Sequence, residues 1–168
     1  MRRAIRLMSG AASVTAVAVL GSGCTPGPEP IIAVESGEGG SVRLLLAKCP
    51  GYRAESFGVF ADVEEGELQN WSVRNPDYRA TPAGVRIFEV PEGWKVSASA
   101  LTALSDGVPY VADVEGATGA KGLDGRVPFT LADVEELKPG KVLISAGGEK
   151  NKAVDRDDFL NDIPPECD

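Results

Sequence analysis

From Val42 to Ala146 the apolar residues recur in short runs at every second position. That period buries one face of a β-strand and cannot build the continuous stripe of a helix. Val42, Leu44 and Leu46 alternate with Arg43, Leu45 and Ala47. Phe57, Val59, Ala61 and Val63 share a face, as do Trp71 with Val73 and Val85 with Ile87. The cleanest run sets Trp94, Val96, Ala98 and Ala100 against Lys95, Ser97 and Ser99. Tyr110 to Val114, Val127 to Leu131 and Val142 to Ala146 bring the number of short strands to about seven or eight. Between them stand Pro50-Gly51, Asn75-Pro76, Asp106-Gly107, Asp124-Gly125 and Pro139-Gly140, residue pairs that favour tight turns. Many short strands with regular turn signals imply an all-β sandwich or barrel. Helix is confined to one or two short turns: Thr130 with Asp133 can cap one, and Asp155 or Asp157 another running through Leu160.

The N-terminal residues follow a different logic. Arg2, Arg3 and Arg6 make a basic start without acids, and an apolar stretch from Ala11 to Leu20 follows. Such a stretch is too short to span a bilayer as a stable helix, which takes ~20 apolar residues, and suits the apolar centre of a signal peptide. Leu20-Gly21-Ser22-Gly23-Cys24 comes next. This resembles the bacterial lipobox, although Gly21 stands where a large aliphatic residue is usual. The resemblance implies that residues 1–23 are a lipoprotein signal peptide and that Cys24 becomes the lipid-bearing N-terminus, carrying diacylglyceryl and palmitate-type acyl chains. Two chains anchor stably where one does so only marginally. Arg2-Arg3 also resembles the start of a twin-arginine signal, but the following residues fit poorly, so general secretory and twin-arginine export both stay open. The expected location is the outer, extracytoplasmic face of the cytoplasmic membrane.

Residues 25–40 are rich in Pro, Gly and Glu. With Cys24 they read as a lipidated N-terminus and flexible tether over 24–40, leaving 41–168 as the β-sandwich domain. A coil of that length spans ~20–25 Å. Removing residues 1–23 takes away three arginines and no acid, so the formal charge of −8 becomes −11 over 145 residues. This acidity argues against nucleic acid as a partner and against a polybasic grip on lipid. Cys49 and Cys167 remain, and in an oxidising compartment such a pair reads as a structural disulfide.

Phe129-Thr130-Leu131 followed by Leu137-Lys138-Pro139-Gly140-Lys141-Val142-Leu143 resembles the strand-corner-strand pattern L-x-P-G-x-x-Y of fibronectin type III and related immunoglobulin-like domains. Leu143 takes the tyrosine position. The resemblance implies an immunoglobulin-like β-sandwich and transfers no function. The whole layout is also similar to that of lipoproteins of high-GC Gram-positive bacteria.

Chemistry is sparse. The chain has no histidine, which removes Ser-His-Asp and Cys-His catalysis and the His-Glu-x-x-His zinc site. Gly116 to Gly122 superficially resembles a phosphate loop, but Lys121 precedes Gly122-Leu123 rather than a hydroxyl residue, so it reads as a mobile glycine loop. Asp155-x-Asp157-Asp158 invites calcium, yet Phe159 and Leu160 stand where a ligand and a glycine would be needed. Trp71 and Tyr78 flank the Asn75-Pro76 turn and are the candidate ligand contacts; Trp94 continues a core face. No catalytic residue, metal ligand or cofactor is assigned. The expected function is a non-catalytic binding or interaction module of the cell envelope, meeting an envelope protein or a cell-wall polymer. The alternative is an envelope glycan hydrolase using paired carboxylates.

Overall fold

The structure, a computed structural model, describes residues 30–61 and 69–167. The signal segment, Cys24 and Val63 lie outside the described residues. Two antiparallel sheets face each other across one core, the sandwich architecture that immunoglobulin-like domains share, here with its own strand order. The first sheet contains β1 (Ile32–Ser36), β2 (Val42–Leu46), β5 (Gly84–Arg86), β10 (Lys141–Gly147) and β11 (Lys150–Asp155), in the order β11-β10-β1-β2-β5. The second contains β3 (Tyr52–Ala61), β4 (Asn70–Arg74), β6 (Lys95–Ser99), β7 (Tyr110–Thr118), β8 (Lys121–Gly122) and β9 (Gly125–Phe129), in the order β6-β4-β3-β7-β8 with β9 also paired to β7. The described residues thus hold eleven strands, more than the alternation alone implies.

The extra strand that matters is β1, because it corrects the domain boundary. Ile31, Ile32, Ala33 and Val34 are buried in the stretch read as tether, and β1 lies between β10 and β2 in the middle of the first sheet. The folded domain therefore begins near Pro30 and not at Ser41. Ile32 and Val34 face the main core, whereas Ala33 faces the other way, into a second cluster with Leu45, Ala47, Val142, Ile144 and Phe159. A strand buried on both faces shows a continuous apolar run and no alternation.

That second cluster is closed by α2 (Arg156–Asn161), which lays Phe159 onto the outer face of the first sheet. The helix is pinned by the buried Glu35 on β1. Its carboxylate accepts from Arg156 Nε at 2.8 Å and from Arg43 Nη1 at 3.0 Å. Asp155 sits at the N-cap position, but its carboxylate accepts from Lys141 Nζ at 2.9 Å instead of capping the helix. Beyond α2 the chain returns to Cys167, which forms a disulfide with Cys49 across 118 residues.

The crossover from β9 to β10 runs through α1 (Leu131–Glu135), capped by Thr130 with Asp133 in a reciprocal capping box. Pro139-Gly140 then turns the chain from one sheet to the other, with Gly140 at φ 79°, where a side chain would be strained. Leu143 is buried in the main core, so the tyrosine position of the corner is filled by packing rather than by a hydroxyl.

Candidate functional site

The two rings chosen from the sequence go to different places. Trp71 is only 4 % exposed and belongs to the core, edge-on to Phe88 at 5.8 Å, so it is no ligand platform. Strand alternation explains this: Trp71 pairs with Val59 and shares the inward face of Val73. Tyr78 is 59 % exposed and sits at φ 48°. Buried Asn75 fixes that conformation. Its side-chain amide donates to the carbonyls of Ala54 at 3.3 Å and Arg79 at 2.9 Å, while its oxygen accepts from the Arg79 amide at 2.9 Å. Trp94 is core, packed against Phe57 at 5.4 Å. Val96 is half exposed, because β6 is the edge strand and its register slips by one residue against β4. Gly116 to Gly122 is a β-hairpin made by the end of β7 and β8, which replaces the loop reading.

The outer face of the second sheet brings together side chains that the sequence did not single out. Ser56, Gly58 and Phe60 on β3, Ser72 on β4, Ser97 on β6 and Asp113 with Glu115 on β7 line a shallow groove of about 360 Å³. Gly58 forms its floor. Register sets Gly58 opposite both Ser72 and Asp113, and a Cβ at Gly58 would collide with the Asp113 carboxylate. The missing side chain is what lets the acid lie down across the sheet. Ser72 and Ser97 share a hydrogen bond of 2.8 Å, and Ser56 Oγ donates to Glu115 at 3.3 Å.

Burial pushes the Asp113 carboxyl above its ordinary value; neighbouring Glu115 adds to the rise and Arg126 opposes it. Burial therefore favours the protonated form of Asp113, the kind of environment in which a carboxyl can serve as a proton donor. At its far end the groove meets Phe60, which also borders a larger depression of about 700 Å³ with Arg126, Pro128 and Asn151.

Chemically the groove offers hydroxyls, carboxylates, the Arg74 guanidinium, the Asn70 amide and one aromatic edge, a set suited to hydrogen-bonding a polyhydroxylated chain lying along the strands. No helix or loop among the described residues closes over it. Among the described residues no three carboxylate or thiol side chains gather as a metal site. The alternation Asp113, Glu115 between Ala112, Val114 and Gly116 marks an outward face in the sequence. The same alternation turns Gly58, Ser72 and Ser97 outward, but it carries no signal that they meet Asp113 and Glu115, because register joins residues far apart in the chain. Compared with known proteins, the chain matches no family model, no curated protein and no solved structure.

Proposed function

We propose that this chain is a lipid-anchored, non-catalytic binding module of the cell envelope, held through Cys24 at the outer face of the cytoplasmic membrane and making contact through the outer face of its second sheet. One observation carries the choice of surface. The first sheet's outer face is closed by α2, whereas no described helix covers the second sheet's, which is grooved and lined by hydroxyls, carboxylates and the Arg74 guanidinium. A rigid sheet presenting fixed polar groups costs little ordering on binding. The partner class that suits these groups is a cell-wall polymer rich in hydroxyls.

The test is co-sedimentation of purified residues 30–168 with insoluble cell-wall polymer, wild type against Asp113→Asn and Ser72→Tyr. Both substitutions are expected to reduce the bound fraction while circular dichroism stays β-type. Equal binding by all three proteins would move the contact elsewhere.

A second reading, glycan hydrolysis, is favoured by the shared location of Asp113 and Glu115 and by the raised proton affinity of Asp113. It predicts release of soluble sugar from the same polymer, lost in Asp113→Asn.

A further inference from the structure

The corrected boundary changes where the domain sits. Cys24 and Pro30 are six residues apart in sequence, and six residues reach at most ~20–22 Å even when fully extended. If Cys24 carries lipid, the end of the sandwich at Pro30 is drawn close to the headgroups. That end is well defined. The Ala47 amide donates to Ile31 O at 2.9 Å, and the Leu46 amide to Ala83 O at 2.9 Å. Cys49 bonds to Cys167, and Pro30 shares a small cavity with Asp162 and Pro164. The 75–83 loop, the 47–51 turn and the C-terminal 162–167 stretch therefore converge where the chain enters the fold.

This end also displays apolar side chains that the fold does not use. Ile163 is 41 % exposed between Asp162 and Pro164. Tyr78 borders a surface hollow with Gly51 and Arg53 on the same side. A non-glycine residue at positive φ is strained, and such strain persists only where surrounding structure imposes it. Here the Asn75 hydrogen bonds impose it, and the result is an outward-held aromatic. Tyrosine, with an apolar ring and a polar tip, favours the membrane interface.

We propose that the Pro30 end of the sandwich rests on the lipid surface, with Tyr78 and Ile163 seated among the headgroups. The covalent anchor supplies the attraction, so the acidic domain needs no cationic patch. The open face of the second sheet is then left free along the side of a domain docked by its end. This inference rests on the lipid-anchor reading, and the experiment separates the two.

Full-length chain is purified from membranes, reconstituted into phosphatidylethanolamine–phosphatidylglycerol vesicles with brominated acyl chains, and floated on a density gradient. Tyr78→Trp, Ile163→Trp and the control Glu38→Trp are compared with wild type, whose Trp71 and Trp94 are buried and give a constant background. Glu38 lies in the turn after β1, at the other end of that strand from Pro30. The expected result is loss of the added emission in Y78W and I163W, with E38W unaffected. Flotation with quenching at neither site, or with E38W quenched as strongly, overturns the docking while the anchor reading stands. A chain that does not float with the vesicles overturns both.

Discussion

On the first sheet, Ala33, Leu45, Val142 and Ile144 turn outward and are apolar, and Phe159 of α2 covers them. On the second, Ser56, Gly58, Ser72 and Asp113 turn outward, and no described helix lies over them. The same alternation of side chains builds both surfaces. What differs is whether a distant segment comes back to cover the outer residues. A covered face contributes burial and so is fixed by stability, whereas an uncovered one is free to be shaped for contact.

Four perturbations test that contrast. The most damaging is truncation to residues 41–168, which deletes β1. Ile31, Ile32 and Val34 each bury a large side chain, at ~1.5–3 kcal/mol apiece, and their sum rivals a typical net stability of ~5–15 kcal/mol. The truncated chain is expected to lack a cooperative thermal transition that residues 30–168 retain. If 41–168 melts cooperatively at the same temperature, β1 is dispensable and the contrast between faces loses its foundation.

Next comes the bridge. Cys167→Ala removes a covalent closure spanning 118 residues, which in the chain-entropy account stabilises by up to ~4–5 kcal/mol. Denaturant titration is expected to show a lowered midpoint and a steeper slope, because the unbridged denatured chain expands and exposes more surface. Thiol counting on the denatured, unreduced wild-type domain should find neither Cys49 nor Cys167 free.

The third perturbation compares the faces directly. Phe159→Ala should cost ~3 kcal/mol or more, and Trp71→Ala ~3–5 kcal/mol, since both leave cavities. Ser72→Ala and Tyr78→Ala should stay within ~0.5 kcal/mol of wild type, as exposed substitutions usually do. Equal losses at Phe159 and Ser72 would mean that the second sheet's outer face is also part of the core.

The smallest effect concerns Asp113. Its folded-state carboxyl binds a proton more tightly than an ordinary aspartate, so wild type loses stability as pH rises from the ordinary aspartate range through the raised value. Asp113→Asn cannot ionise and is spared this loss. It should therefore be the more stable protein at neutral pH, and the advantage should vanish in acid below the ordinary aspartate range. Midpoints measured across that window check the sign; an advantage that grows in acid would show that Asp113 is stabilised as a carboxylate.

The sequence by itself determined an all-β fold of many short strands, the positions of most of its turns, the capping box at Thr130 and Asp133, and the Cys49–Cys167 pair. All of these rest on near neighbours or on simple counting: a period of two, turn residues side by side, a reciprocal cap three residues apart, two cysteines left once Cys24 is read as the lipid site. Tertiary structure decided the rest. Ile31 to Val34 reads as a few apolar residues in a Pro- and Gly-rich stretch, because a strand buried on both faces has no alternation to detect. Its second cover, Phe159, comes from more than 120 residues away. Trp71 looked like a loop-flanking ring and became core once β4 paired with β3. The groove exists only because register lays Gly58 against Asp113, and the slip between β4 and β6 brings Ser97 to hydrogen-bond Ser72. Local pattern says that a residue points outward; only the pairing of strands distant in sequence decides which neighbours it meets there.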